Sequence, residues 1–193
     1  EALSKETKEY LQQEAAVKER LQEESSLMTR FSDYMYHYGQ CPVYGKTEAK
    51  YYPLGDNQYR DILTELKKAE KFIFLEYFIV EEGIMWNSIL KILKDKVKEG
   101  VEVRFMYDGM CTLTLLPYFY PKLLEEEGIR CKMFSPIKPM FSSHYNNRDH
   151  RKILVIDGKV AFTGGTNLAD EYINQKERFG HWKDTAIMVK GKA

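Results

Sequence analysis

The chain has 193 residues, 44% of them apolar, with 29 basic and 29 acidic side chains. That length holds one large domain or a domain plus an appendage. The balanced charge excludes the broad basic footprint of a non-specific nucleic-acid binder, so no nucleic-acid partner is expected.

Cys41, Cys111 and Cys131 are odd in number and far apart, with no CxxC pair. Neither a zinc site nor a disulfide framework is implied, and no metal or other cofactor is expected. The longest apolar run, 72–80, has nine residues and contains Glu76. A membrane span needs about 20, so this stretch of chain is expected to be soluble.

Residues 1–38 are rich in Glu, Gln, Lys, Ala and Leu and lack both Pro and Gly. This predicts a helical arm, in two pieces broken near Ser25-Ser26. Leu3, Tyr10, Val17, Leu21 and Met28 form a sparse stripe suited to a domain, a partner or a membrane surface; a solvated arm is the alternative. Phe31, Tyr34, Tyr36 and Tyr38 are the expected docking point. The domain proper then covers 39–193.

After a loop around Cys41-Pro42, the Pro53-terminated segment 50–53 reads as an edge strand. Segment 57–71 has helical spacing, with Asp56 as its N-cap. Segment 72–80 reads as a central strand covered on both faces. Glu76 inside it is either a salt-bridged structural residue or part of a polar pocket.

A helix over 86–99 closed by Gly100, a strand over 101–108, a helix over 113–127 interrupted by Pro121, and a strand over 129–134 complete a β-α-β-α-β order. The fold class is therefore α/β: a mixed, largely parallel sheet flanked by helices, with the helical arm ahead of it. The irregular segment 135–148 contains His144, read as a loop residue near a pocket. A short helix over 168–173 and a last strand over 182–189 follow.

The focal stretch is His150-Arg151-Lys152-Ile153-Leu154-Val155-Ile156-Asp157-Gly158, then Gly164-Gly165-Thr166-Asn167. In a strand His150 and Lys152 project to one face. Asp157-Gly158 is a strong two-residue hairpin signal, pairing 153–156 with 159–163. The pairing returns Gly164–Asn167 to the end where His150 begins. A nucleophile, a fixed cation, a glycine backbone and an amide then meet, which suits an anionic phosphate ester.

The pattern His150-x-Lys152-x4-Asp157 followed by Gly164-Gly165-x-Asn167 resembles the HKD motif of the phospholipase D superfamily. Segments 147–152, 170–172, 182–185, 74–79 and 100–104 are similar to the first catalytic half of bacterial cardiolipin synthases. The resemblance implies a bilobed parent with two HKD halves and membrane-spanning helices, at the cytoplasmic face of the bacterial cell membrane. This chain then reads as its N-terminal catalytic half.

It also implies transfer of a phosphatidyl group from phosphatidylglycerol through a phosphohistidine. His150 is the expected nucleophile and Lys152 the charge stabiliser, with the Gly165 N–H and the Asn167 amide helping to bind phosphate. Asp184 is the expected orienter of the imidazole. Asp157 belongs to the motif but sits in the turn, roughly 17 Å from Lys152 at strand rise, and is expected to fix backbone.

A leaving alcohol needs a proton, which the superfamily takes from a second motif's histidine. Of His37, His144, His150 and His181, only His150 lies in an HxK arrangement. The missing half of the parent or a homodimer mate would complete the site. Two other functions stay open: a single-motif phosphodiesterase or nuclease acting as a homodimer, and a non-catalytic lipid-headgroup or oligomerisation module.

Overall fold

The computed structural model describes residues 11–137 and 146–191; His144 and the first two members of the arm's stripe, Leu3 and Tyr10, lie outside them. Two compact units divide the described chain: one runs up to Glu48 and takes in Lys190 and Gly191, the other is Ala49–Val189.

In the first unit, α1 (Ala15–Glu24) and α2 (Ser26–Gly39) are separated at Ser25. Ser25 is extended, and its hydroxyl accepts the Met28 N–H at 3.3 Å, capping α2. Phe31, Tyr34 and Tyr38 are 61%, 60% and 74% exposed, whereas α2 buries Thr29 and Ser32. The small polar face of α2 is the one that packs closely enough to be sealed.

The sheet has seven strands: β1 (Thr47–Tyr52), β2 (Phe72–Tyr77), β3 (Glu102–Asp108), β4 (Arg130–Phe134), β5 (Lys152–Ile156), β6 (Val160–Gly164) and β7 (Ala186–Gly191). Their order is β1-β7-β6-β5-β2-β3-β4, which leaves β1 at an edge, with Pro53 just beyond its end. β2 runs parallel to β3, and β3 to β4; β5 is antiparallel to both β2 and β6.

Helices α3 (Gly55–Leu66) and α4 (Ile84–Lys98) supply Ile62, Leu66, Trp86, Ile89 and Leu93 to one core with Ile73, Leu75, Val103, Phe105, Leu154 and Ile156. The Trp86 indole N–H, buried there, donates to the Tyr120 hydroxyl at 2.6 Å.

Three local expectations change. α3 begins at Gly55 with Leu54 at the N-cap, so Asp56 lies in the first turn and does not cap it. The helix expected over 113–127 is a 3₁₀ turn (Gly109–Leu113) and a short α5 (Tyr120–Glu126), because Pro117 and Pro121 remove the N–H groups a continuous helix would use. β2 alternates buried Ile73, Leu75 and Tyr77 with half-buried Phe72, Phe74 and Glu76. Among the described residues its second face is an open groove lined by Phe74, Glu76, Arg104, Met106, Ile153 and Val155.

The hairpin forms, but its loop is the three residues 157–159 rather than the two expected, so Ile156 pairs with Val160 and not with Lys159. Asp157 and Gly158 both take positive φ, 55° and 65°. The Asp157 carboxylate accepts backbone N–H groups from Glu70, Lys71 and Phe72 at 2.9, 2.8 and 2.8 Å. Burial opposes its charge, but the three N–H donors outweigh that and hold the carboxyl below its ordinary range.

A depressed carboxyl stabilises the fold above its unfolded value and loses that contribution as pH falls through the folded one. Asp157→Ala is therefore expected to cost about 2–3 kcal/mol near neutral pH. In urea titrations at successive pH values, the gap between the two proteins should narrow as pH drops below about 3.9.

Candidate active site

β5 antiparallel to β2 pairs Lys152 with Tyr77, and the β5–β6 register pairs Ile153 with Thr163. His150 and Lys152 therefore stand at the same sheet end as Gly164–Asn167. The 165–168 loop is pinned there: Leu168 N–H donates to Ile79 O at 3.1 Å and Glu81 N–H to Leu168 O at 3.0 Å.

His150 is exposed, and its ring lies 4.7 Å from that of Phe78, tilted by 54°. Lys152 is 5% exposed. Its Nζ donates to the His150 carbonyl at 2.7 Å and stands 5.4 Å from the Phe78 centroid. One N–H is thus used internally, and an ammonium has two more for a ligand. Burial lowers the lysine from its ordinary value, while the Asp184 and Asp149 carboxylates support its charge. Phe78 underlies both groups and is fixed in turn by Cys111, whose buried thiol donates to Phe78 O at 3.2 Å.

Asp184 lies two residues ahead of β7. Its Oδ1 accepts the Thr185 N–H at 3.0 Å and its Oδ2 faces the Trp182 indole N–H at 3.5 Å. It makes no hydrogen bond to His150 in this structure. Asn174, in the left-handed region at φ 55°, accepts the Trp182 N–H at 2.7 Å and donates to Trp182 O at 3.1 Å, holding the approach to Asp184.

Gly165 has a steric task. A Cβ there would overlap Asp184 Oδ1, so only glycine lets the carboxylate settle against this backbone. Its N–H is already spent on Thr185 O at 2.9 Å. Asn167, 3% exposed, accepts the Ile79 N–H at 3.0 Å through Oδ1 and bonds the Tyr172 phenol. Its oxygen therefore organises backbone, and the amide NH2 is the donor side. Asp157 sits at the far end of the hairpin, away from this group.

Glu76 satisfies both readings of it. Its Oε1 stands 2.6 Å from Arg151 Nη2, an ion pair without hydrogen-bond alignment, and its carboxyl is hydrogen-bonded to Asp149. Burial and the Asp149 carboxylate push Glu76 up to about 7. For Asp149, burial works in the opposite direction, but hydrogen bonds from Glu76 and Arg151 hold it below the usual range. Asp108, 0% exposed, accepts the Asp149 N–H at 2.8 Å and Arg148 Nη1 at 3.1 Å.

Sequence reasoning missed Asp108, Asp149 and Phe78. The run Arg148-Asp149-His150-Arg151 did carry a signal, since alternating charges around a nucleophile call for partners. Among the described residues no group of three or more His, Cys, Asp or Glu side chains could hold a metal ion.

The family model described as the cardiolipin synthase, PLD-like domain matches residues 62–188. The chain belongs to this family. It is 55% identical to an uncharacterized protein of Streptococcus mutans, over 96% of this chain and 40% of that one. It is 44% identical to a cardiolipin synthase of Alkalihalophilus pseudofirmus, over 80% of this chain and 31% of the relative. This PLD-like chain thus spans less than half the length of these relatives.

The fold has solved counterparts. Nuc, a phospholipase D family member from Salmonella typhimurium, superimposes with a TM-score of 0.53 at 17% identity, over 75% of this chain and 82% of Nuc. Phosphatidylserine synthase of Haemophilus influenzae gives 0.56 at 14% identity, over 75% and 33%.

Gly165→Ala should displace Asp184 and cost about 1–3 kcal/mol by overpacking. Thermal unfolding with near-UV circular dichroism checks it: a lowered Tm and an altered indole band are expected, since Trp182 rides on the same loop.

Proposed function

We propose that this chain carries the nucleophile of a phosphatidyl transferase that makes cardiolipin. The observation that supports it most is an exposed imidazole, His150, beside a buried ammonium, Lys152, at the end of one hairpin.

His150 attacks the phosphorus of phosphatidylglycerol. A phosphorus–nitrogen bond forms, the phosphorus–oxygen bond to the glycerol headgroup breaks, and glycerol leaves with a proton. The hydroxyl of a second phosphatidylglycerol then attacks the phosphohistidine, yielding cardiolipin and free His150. The two remaining N–H groups of Lys152 and the Asn167 amide stabilise charge on the non-bridging oxygens. Asp184 supports the cation in this structure and turns to the imidazole as substrate arrives. The proton donor for glycerol comes from a second HKD histidine, supplied by a further domain or a second copy.

The substrate sits in a bilayer, and the outward face of α2 supports a membrane contact. Leu27, Phe31, Tyr34 and Tyr38 recur at helical spacing and are all exposed, with Arg30 beside them. Such rings suit the headgroup boundary. The double variant Phe31→Ser/Tyr34→Ser should lose flotation with phosphatidylglycerol vesicles while keeping its Tm.

The full-length protein in phosphatidylglycerol vesicles is expected to release glycerol and form cardiolipin; phosphatidic acid as the sole lipid product would overturn the transferase reading. In the same assay His150→Ala should abolish the acid-labile phosphohistidine adduct. Lys152→Met should slow its formation about 10²–10³-fold, the scale of losing one preorganised charge stabiliser. A wild-type rate in Asp184→Asn would exclude the orienting role of Asp184.

A further inference from the structure

We infer that Asp108 and Glu76, neither of them in the motif, are the positioning residues of the nucleophile: from the ends of β3 and β2 they clamp the chain on both sides of His150. This rests on His150 being the nucleophile.

The clamp has two arms. On the first, Asp108 accepts three N–H groups: Met110 N at 2.8 Å, Arg148 Nη1 at 3.1 Å and Asp149 N at 2.8 Å. Arg148 also donates to Ser135 through Nη1 to the carbonyl and Nη2 to the hydroxyl, both at 3.1 Å. A carboxylate with no solvent exposure needs this set of donors to remain charged. The residue immediately before His150 is thereby tied to the end of β3.

On the second arm, Arg151 reaches Glu76 Oε1 at 2.6 Å and Asp149 Oδ1 at 2.9 Å, and its backbone N–H donates to the same Asp149 oxygen at 3.2 Å. The residue immediately after His150 is thereby tied to β2. Arg151 and Asp149 alternate with His150 and Lys152, so the clamp grips the open face of the sheet while the imidazole and ammonium point the other way. A side chain two bonds from a fixed backbone has little freedom left except about its own χ angles, and Phe78 limits those.

The second arm depends on a shared proton. Glu76 and Asp149 face each other with a single guanidinium between them. The other charged groups along this groove are Arg104, Arg130, Lys132 and Glu125; Arg104 and Arg130 are both paired with Glu102. When Glu76 loses its proton, its hydrogen bond to Asp149 is replaced by repulsion between two carboxylates that the one Arg151 guanidinium only partly offsets, and the arm loosens. Glu76 holds that proton up to about 7.

The test uses the full-length protein, with Asp108→Asn and Glu76→Gln, and reads His150 adduct formation from phosphatidylglycerol between pH 6 and 8.5 alongside amide hydrogen exchange. For Asp108→Asn, the Asp149 amide should exchange at least tenfold faster, while the β5 amides of Leu154 and Ile156 stay protected. The maximal rate of adduct formation should fall at least tenfold with KM for lipid unchanged. For the wild type, the maximal rate should decline as pH rises above about 7, and Glu76→Gln should lack that decline, because its amide donates to Asp149 at every pH.

An unchanged maximal rate in Asp108→Asn, or an identical fall above pH 7 in Glu76→Gln, would overturn the clamp. If Asp108→Asn fails to fold, the pH profile of Glu76→Gln decides alone. If the wild type forms no adduct on His150, the nucleophile assignment fails separately. The Asp149 amide then decides whether the clamp exists: equal exchange in wild type and Asp108→Asn would refute it.

Discussion

The register of the β5–β6 hairpin is the constraint on which the rest of the structure depends. Lys152 opposite Tyr77 and Ile153 opposite Thr163 place every reactive group at one sheet end. A slip of one residue would turn His150 and Lys152 to the open face and send Asp149 and Arg151 into their place. Two devices prevent it. The turn needs two residues at positive φ, which Asp157-Gly158 provides, and the Asp157 carboxylate is bonded to three consecutive N–H groups entering β2. The third motif residue, Asp157, thus acts at the far end of the hairpin from His150 and Lys152, by holding the near end in register.

Around that frame the site manages charge by pairing. Lys152 is buried, which weakens its hold on a proton, yet it lies near two carboxylates and against the face of Phe78. It can therefore stay cationic without being neutralised by a direct ion pair, leaving donors for an anion. Asp184 reaches this neighbourhood only because position 165 lacks a Cβ. The acids on the opposite face, Asp149 and Glu76, are kept from the phosphate side by the alternation of the strand and by Arg151.

Much of this was legible in the chain itself. Alternation and Gly or Pro punctuation located seven strand regions, though the edge strand lies at Thr47–Tyr52 rather than 50–53 and the last at Ala186–Gly191 rather than 182–189, and the Asp-Gly turn located the hairpin. Spacing brought His150, Lys152 and the glycine loop to one end, although a third loop residue, Lys159, shifts the pairing by one from the two-residue expectation. The break near Ser25-Ser26 was visible, and the structure shows Ser25 capping α2. What misled was local propensity judged without tertiary context: the apolar run of β2 suggested two covered faces.

The sequence by itself determined the family and the hairpin, and it brought His150, Lys152 and the glycine loop to one sheet end, since these follow from local periods of two, one turn and the motif. Only the tertiary structure decided how those groups are held. Asp108 and Glu76 lie 42 and 74 residues from the His150 they flank, and no local pattern links them to it. Their roles come from strand order, which sets β2 between β5 and β3 and so gathers the strand ends and the acids they carry around one short charged segment.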